Sequence, residues 1–366
     1  MQNYIIMHRD RKVASVRSNG SCTVYSRRFM PYNLYLEEKT YDLDERINNI
    51  NNFIYWCAGR ILTMDRKYAK EILNSIGKKQ AVTDRDRAEI AITYHALSMT
   101  DVFWVREQYE KVKFSEINLF EHSLSDAFID VSLRGMSLTA NNSELVDPLD
   151  AAGDVATQGV APKAWVRRNG KFYLLKNGDR RDVEAELLAS RIIDCFSFEH
   201  VKYKREQYEG VDVSSSEIIT SLDKSIISME YMEIYARNND QDLYRLVIDR
   251  DPYAYYAMLI ADYLVGNNDR HWGNWGFWIE NETNRILKLH PMMDFNKAFT
   301  AYDTVEGIRC QTAPSNISQK DAAIDAVRRI GLNQTAEVKR EWFYEDSLWE
   351  MFSARLAILK AQDAGR

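Results

Sequence analysis

The spacing of apolar residues changes near Asp42. Before it, short apolar runs alternate with polar turns over residues 4–36, and Asn19-Gly20 between two of these runs is typical of a β-hairpin. After it, apolar residues recur every three or four positions, which is the spacing of a helix. The pattern predicts strands first and then three helices, which begin near Asp42, cover residues 65–76, and cover residues 83–97 with Thr83 or Asp84 as the cap.

A break in composition separates this part from the middle of the chain. Residues 139–162 are mostly small or polar and contain Gly and Pro, which is typical of a domain boundary or a functional loop. Two β-rich runs then flank Asn169-Gly170, the strongest short hairpin signal. A two-residue turn fixes the register, so Arg168 should oppose Lys171, and Lys163 should oppose Lys176. A helix is predicted over residues 182–196.

A third patterned region begins with a predicted helix over residues 251–265. Asp251 can cap this helix, and Pro252 suits its first turn. The polar stretch GNNDRHWGNWG follows at 266–276, and two apolar runs around the letters ENETN then predict a second hairpin. From about Lys320 the chain is predicted to be mostly helical.

The second hairpin should bring together polar residues that are distant in sequence. Its first strand leaves from Asn274 and its second strand returns toward Asp294, so Asp294 is expected near Asn274 and Asp269. Two carboxylates and a carboxamide at one end of a helix suit a divalent metal that prefers oxygen, such as Mg²⁺. Asp269 and Asn274 also have the D-x-x-x-x-N spacing of a kinase catalytic loop. In such a loop the Asp accepts the proton of a hydroxyl, and the Asn and a later Asp hold the metals.

A kinase of this kind also needs a lysine on the nucleotide phosphates and a glutamate that pairs with the lysine. Lys176 ends its predicted strand, and both Glu184 and Glu186 lie on the next helix. Gly159, just before the first hairpin, supplies the permissive backbone of a loop that covers phosphates. Each residue alone has an ordinary explanation, such as a wet helix face or a capped turn. The order of all of them together favours a kinase.

Composition restricts the class of protein further. The chain has 366 residues, of which 45% are apolar and 28% charged, and its net charge is −6. This is ordinary for a soluble globular protein, and the acidic balance argues against a dedicated nucleic-acid binder. The four cysteines are scattered without a CxxC pair, so we expect reduced thiols in a cytoplasmic protein. No apolar run approaches the length of a membrane span, so no membrane association is expected.

Five segments together resemble the HipA-like serine/threonine kinase family. They are TQGVAPKAWV (157–166), Lys176, EAELLAS (184–190), NNDRHWGNWGF (267–277) and HPMMDFNKAF (290–299). Two further phrases, YIIMHRDRKVASV (4–16) and LSMTDVFWV (97–105), resemble a group of HipA-domain proteins common in Gram-positive bacteria. The resemblance covers most of the chain, and the loop around Asp269 with the later Asp294 is its most specific part.

The resemblance implies a bilobed kinase fold, ATP with Mg²⁺, and phosphoryl transfer to a protein hydroxyl. Asp269 becomes the catalytic base, Asn274 and Asp294 the metal ligands, and Lys176 the ATP lysine. Residues 156–163, which include Thr157, Gly159 and Lys163, become the phosphate loop. Glu186 is preferred over Glu184 as the partner of the lysine. A protein substrate is implied, and family toxins usually travel with a DNA-binding antitoxin.

Two positions depart from the family pattern. Family members often phosphorylate a serine beside the phosphate loop, and here Ala156 occupies that position with Thr157 next to it. Autoinhibition by that route is therefore not expected. Asp294-Phe295 is followed by Asn296 instead of the glycine of typical protein kinases, so a movable D-F-G segment is not expected either.

The predicted fold class is α+β, with a bilobed, HipA-like kinase fold. The predicted domains are an amino-terminal β/α subdomain over 1–145, a kinase N-lobe-like segment over 146–235 and a mainly helical C-lobe over 236–366. Two other functions stay open. One is a nucleotide-binding pseudokinase or scaffold. The other is a different transferase on the same fold, because Asp269-Arg270-His271 also resembles the loop of phosphoinositide kinases. Nucleotidyl transfer is a variant of the second.

Overall fold

The computed structural model describes residues 3–62, 65–75, 83–121, 129, 132–134 and 162–365. The chain forms two compact units. Unit 1 comprises Met1–Asn177, Glu217–Ile226 and Ile279–Ile286, and unit 2 comprises Gly178–Ser216, Ile227–Trp278 and Leu287–Arg366. The three-domain division stays a prediction.

The amino-terminal part of unit 1 is built on an antiparallel sheet. Its strands are β1 (Asn3–His8), β2 (Arg11–Arg17), β3 (Cys22–Val24) and β4 (Phe103–Glu107), in the order β3-β2-β1-β4. Gly20, in the turn between β2 and β3, has a φ of 78°, which explains why this position favours glycine. The predicted early strands are confirmed as far as Val24, but residues 25–36 contain a 3₁₀ turn at Arg27–Phe29 and no strand.

Four helices of unit 1 are described: α1 (Leu43–Ala58), α2 (Ala69–Ser75), α3 (Asp84–Thr93) and α4 (Phe114–Ile117). Asp42 caps α1, and Thr83 caps α3 through a reciprocal capping box with Asp86. Two predicted helices are too long. Tyr68, with a φ of 67°, precedes α2, and His95 and Ala96, with φ values of 55° and 48°, follow α3. A helix cannot continue through such residues.

The predicted hairpin that contains Lys163 and Lys176 is confirmed with its register. Strands β5 (Lys163–Arg168) and β6 (Lys171–Lys176) pair so that Lys163 opposes Lys176 and Arg168 opposes Lys171. Asn169 and Gly170 have φ values of 51° and 78°. Two positive φ values in a two-residue loop match the twist of the flanking strands, which is why Asn-Gly is such a specific signal.

Two further strand groups follow. β7 (Tyr203–Tyr208) and β8 (Val211–Glu217) form an antiparallel hairpin. β9 (Lys224–Ser228), β10 (Gly276–Glu280) and β11 (Arg285–Leu289) form a three-stranded sheet in the order β11-β10-β9. The second predicted hairpin, around residues 280–284, is therefore confirmed. The described chain is a mixed α and β structure with several antiparallel sheets.

Unit 2 has six described helices, one of which is buried along most of its length. They are α5 (Arg180–Ile193), α6 (Met229–Asn238), α7 (Leu243–Arg250), α8 (Pro252–Val265), α9 (Gln319–Ile330) and α10 (Asp346–Asp363). Helix α8 is apolar on all sides and buried from Tyr255 to Val265, as expected of a core helix, and it packs against α9 and α10. Asp251 caps it and Pro252 is its first residue, as predicted. Across the described ranges, no helix is long and apolar enough to cross a membrane.

Candidate active site

The candidate catalytic loop begins where α8 ends. Gly266 ends the helix in the left-handed conformation, with a φ of 58°. A Cβ at this position would lie 2.3 Å from the Tyr302 ring, so only glycine fits the turn. The next residue, Asn267, is fully buried, and its Nδ2 donates a hydrogen bond to the Asp262 carboxylate on α8 at 3.0 Å. The rigid core helix therefore fixes the start of the loop.

A buried ion pair holds the middle of the loop. The guanidinium of Arg270 binds both carboxylate oxygens of Asp262, at 2.9 and 3.0 Å. Its remaining nitrogen donates to the carbonyl of Asn274 at 3.0 Å and to that of Met293 at 2.6 Å. Arg270 is 3% exposed and Asp262 is 5% exposed. One side chain thus ties α8, the loop and the segment before Asp294 together.

The side chain of Asn274 is oriented by the loop itself. Its Nδ2 donates to the backbone carbonyl of Asp269 at 2.8 Å. Its Oδ1 has no hydrogen-bond partner among the described residues. The backbone N–H of Asp269 donates in turn to Asn267 Oδ1 at 3.1 Å. Asp269 and Asn274 are therefore held in one closed turn.

The β10–β11 hairpin returns the chain to this loop. Gly276 begins β10 against the backbone of Ile227, where a Cβ would lie 1.9 Å from the Ile227 carbonyl oxygen. Past β11, the backbone N–H of Asp294 donates to the Tyr203 hydroxyl at 3.0 Å. Asp294 itself has a φ of 63°. Residues in this sparsely populated region concentrate at functional sites.

Asp269 and Asp294 lie close enough to influence each other's charge. Burial raises the pKa of Asp269, and the negative charge of Asp294 raises it further. His271 in its protonated form, together with the charges of Lys297 and Arg270, acts in the opposite direction on this pKa. A half-buried carboxylate with a raised pKa beside a second carboxylate is a common feature of catalytic sites.

The donor set fits a magnesium ion. Mg²⁺ takes one or two carboxylates together with substrate phosphates and water, and it seldom has an all-protein cage. Asp294 has a carboxylate, and Asn274 has an amide oxygen whose orientation is fixed by the hydrogen bond of Nδ2. Within the described part of the chain, no group of three or more His, Cys, Asp or Glu side chains could hold a metal by itself.

The predicted upstream residues differ in their surroundings. Lys163 and Lys176, opposite each other in unit 1, are both 8% exposed, so Lys176 is not a solvated strand end. On α5, in unit 2, Glu186 is 1% exposed and accepts a hydrogen bond from the Ser214 hydroxyl. Glu184 lies on the outer part of α5 and pairs with Arg205 at 2.5 Å. Of the two glutamates, only Glu186 is buried.

The phosphate-loop residues Thr157 and Gly159, and the neighbouring Ala156, lie outside the described residues. The loop assignment for 156–163 therefore stays a prediction.

Sequence reasoning missed the positioning residues of the loop: Asp262, Asn267, Arg270 and Tyr203. A signal existed for Asp262, because it is the only charged residue within the apolar helix PYAYYAMLIADYLV. A charge in such a helix needs a buried partner, and the nearest cation in sequence is Arg270. No comparable signal exists for Tyr203, which comes from a distant strand.

Part of the chain is similar in sequence to a known protein kinase. No family model matches the chain. Serine/threonine-protein kinase CtkA of Helicobacter pylori is 30% identical over 124 residues, which are 33% of this chain and 36% of that protein. The match therefore spans about a third of the length of this curated relative. The crystal structure of the H. pylori proinflammatory kinase CtkA aligns with 55% of this chain and 92% of that chain, at 16% identity and a TM-score of 0.41.

One solved structure aligns over nearly the whole length. It is HipA in the Shewanella oneidensis toxin–antitoxin complex of HipA, HipB and operator DNA. The alignment covers 98% of this chain and 97% of that chain, with a TM-score of 0.56 and 13% identity. This chain shares the fold of HipA. The resemblance inferred from the sequence is thereby confirmed at the level of the fold.

Proposed function

We propose that this HipA-like chain is an ATP- and Mg²⁺-dependent kinase that phosphorylates serine or threonine hydroxyls of a protein. The observation that supports the proposal most is the Arg270 network. It joins the loop of Asp269 and Asn274 to the residue before Asp294 through hydrogen bonds to Asn274 and Met293. The partial sequence match to a serine/threonine kinase and the HipA-like fold support the same conclusion.

In the proposed reaction, Asp269 acts as the base. The acceptor hydroxyl oxygen forms a bond to the γ-phosphorus of ATP, and the bond from that phosphorus to the β–γ bridging oxygen breaks. The hydroxyl proton passes to the Asp269 carboxylate, and ADP leaves with the bridging oxygen. The raised pKa of Asp269 suits this role, because a better proton acceptor takes the proton more readily as the bond forms.

The remaining roles follow the resemblance. Asn274 Oδ1 and the Asp294 carboxylate would hold Mg²⁺, which supplies charge neutralisation at the phosphate oxygens when bound. Lys176 would bind the ATP phosphates. Glu186, the buried glutamate of α5, would pair with this lysine. Thr157, Gly159 and Lys163 would belong to the phosphate loop, and the bilobed arrangement and its subdomains stay predictions.

A protein partner is also proposed. HipA is described together with HipB and operator DNA, so a DNA-binding protein of the antitoxin class is a candidate partner for this chain. The acidic net charge of −6 supports the expectation that contact with DNA would come from the partner and not from this chain. A cytoplasmic location is proposed on the same resemblance.

Label transfer tests the reaction and separates it from the alternatives. Purified protein is incubated with Mg²⁺ and ATP labelled at either the γ- or the α-phosphate, with a cell lysate or with phosphoinositide vesicles. We expect γ-label, and no α-label, on serine or threonine of protein. Transfer of α-label would indicate nucleotidyl transfer, and γ-label confined to lipid would indicate a lipid kinase. Either outcome contradicts the proposal.

The matched variants are Asp269→Asn and Asp303→Asn. Asp303 lies on an exposed turn after the candidate site. Asp269→Asn should abolish transfer and Asp303→Asn should not. A pseudokinase would show Mg-ATP binding, seen as a raised melting temperature, with no transfer by the wild type. A scaffold would show neither.

A further inference from the structure

Unit 2 contains a cavity of about 160 Å³ that the proposed kinase reaction does not use. It is lined by the first two turns of α8, by the beginning of β10, by the end of β11 and by residues near Glu199. Its apolar walls include Ala257, Met258, Leu289 and Met292. Asp269, Asn274 and Asp294 do not line it.

Two side chains of the wall each have one nitrogen without a hydrogen-bond partner among the described residues. Trp275 is 6% exposed, and its indole Nε1–H has no acceptor among the described residues. His290 is also 6% exposed, and its Nδ1 lies 2.9 Å from the carbonyl of Pro291. Its Nε2 has no hydrogen-bond partner in the described part of the chain. Buried polar groups are normally paired, so the buried, unpaired indole N–H of Trp275 on the wall of a cavity calls for an explanation.

The two groups have opposite hydrogen-bonding character. An indole nitrogen can only donate. Burial lowers the pKa of His290 to about 4, so its imidazole is neutral at neutral pH. The contact of Nδ1 with a carbonyl places the single proton on Nδ1, which leaves Nε2 as an acceptor. The cavity wall therefore offers one donor and one acceptor.

The charged groups of the wall are already matched. Lys288 pairs with Glu199 at 2.6 and 2.7 Å. The Asp251 carboxylate accepts the backbone N–H groups of Ala254 at 3.1 Å and of Leu289 at 3.2 Å. These three charged side chains already have partners in the protein, so the wall does not favour a charged ligand.

We propose that this cavity binds a small, neutral heteroaromatic ring compound that accepts a hydrogen bond from Trp275 and donates one to His290. The size agrees, because an apolar cavity of about 150 Å³ in another protein is known to hold benzene. Trp275 directly follows Asn274, so the ligand contacts the chain next to the candidate catalytic loop. Binding itself requires no kinase activity, so this inference can fail or hold independently of the proposed function.

Three bicyclic probes of the same shape separate the polar and apolar contributions. Indazole has a ring donor and a ring acceptor, indole has the donor alone, and indene has neither. Each is titrated into ¹⁵N-labelled full-length protein, and the indole N–H resonances are followed by NMR. Trp275→Phe identifies the resonance of Trp275. We expect saturable binding of indazole, at least tenfold tighter than that of indene, with a shift of the Trp275 resonance.

The variants test whether the donor and the cavity are responsible. Trp275→Phe keeps an apolar ring and removes the donor, so it should weaken indazole about tenfold and leave indene unchanged. Trp349→Phe in α10, which does not line the cavity, is the matched control and should have no effect. Ala257→Ile fills the cavity and should abolish binding of all three probes while a cooperative thermal melt is retained.

Three results would overturn the inference. They are the absence of saturable indazole binding to the wild type, equal affinity for indazole and indene, and unchanged indazole binding by Ala257→Ile. The first two require no variant, so the inference is testable even if a substitution prevents folding.

Discussion

Replacing Arg270 by leucine would test the network that holds the candidate catalytic loop. The substitution removes two hydrogen bonds to the Asp262 carboxylate and two to the carbonyls of Asn274 and Met293. It leaves Asp262, which is 5% exposed, as a buried carboxylate without its cation. Removing one partner of a buried ion pair typically costs about 3–5 kcal/mol. Because single domains are stable by only about 5–15 kcal/mol, such a loss is readily measured.

The assay is equilibrium unfolding in urea, followed by tryptophan fluorescence and by circular dichroism. Arg329→Leu is the matched control, because Arg329 pairs with Asp325 at 2.8 Å while both side chains are about half exposed, at 54% and 52%. An exposed pair of this kind contributes at most about 1 kcal/mol. In the double variant Arg270→Leu with Asp262→Asn, the stranded charge is gone, so part of the lost stability should return. If Arg270→Leu cost no more than Arg329→Leu, the network would not hold the loop.

Three further predictions each concern a single residue. Because burial raises the pKa of Asp269 and the reaction needs its ionised form, the rate should fall with decreasing pH around a midpoint above 3.8, and a midpoint at or below 3.8 would contradict this. The pKa of His290 is lowered from 6.5 to about 4 in the folded protein. The contribution of neutral His290 to the free energy of unfolding is therefore fully present above pH 6.5 and is lost as the pH falls toward 4. Between pH 6.5 and pH 4, the free energy of unfolding in urea should therefore fall by roughly 3 kcal/mol less for His290→Gln than for the wild type. Equal pH dependence of this free energy in the two proteins would refute the prediction. Gly276→Ala should destabilise by about 1–3 kcal/mol or more, because its Cβ would meet the Ile227 carbonyl at 1.9 Å, and a melting temperature equal to that of Gly365→Ala would contradict this.

Residues that act on their immediate neighbours were sufficient to predict the strands and helices that position the candidate site. Asn169-Gly170 permits one kind of turn, and that turn determines the register that places Lys176 opposite Lys163. Asp251 and Pro252 specify the start of α8 in the same local way. The expected proximity of Asp294 and Asp269 needed only the rule that the two ends of a hairpin meet.

Features that depend on tertiary contacts were not predictable in this way. The helices predicted over 65–76 and 83–97 were too long, because the positive φ values of Tyr68 and His95 have no local sequence signal. The spacing of Glu184 and Glu186 did not distinguish them, and the preference for Glu186 came from the resemblance; in the structure, only Glu186 is buried. The links from Arg270 to Met293 and from Tyr203 to Asp294 join segments that are distant in the chain, so no periodicity could indicate them.

The rate of phosphoryl transfer by Asp269→Asn shows whether Asp269 acts as the catalytic base. Initial rates of γ-phosphate transfer to serine or threonine are measured at saturating Mg²⁺ and ATP for the wild type and for this variant. We expect kcat to fall about 10²–10⁴-fold with little change in the KM for ATP, because the proposed role of Asp269 is to take a proton and not to bind the nucleotide. Equal kcat values for the two proteins would contradict the assignment of this loop as the catalytic site.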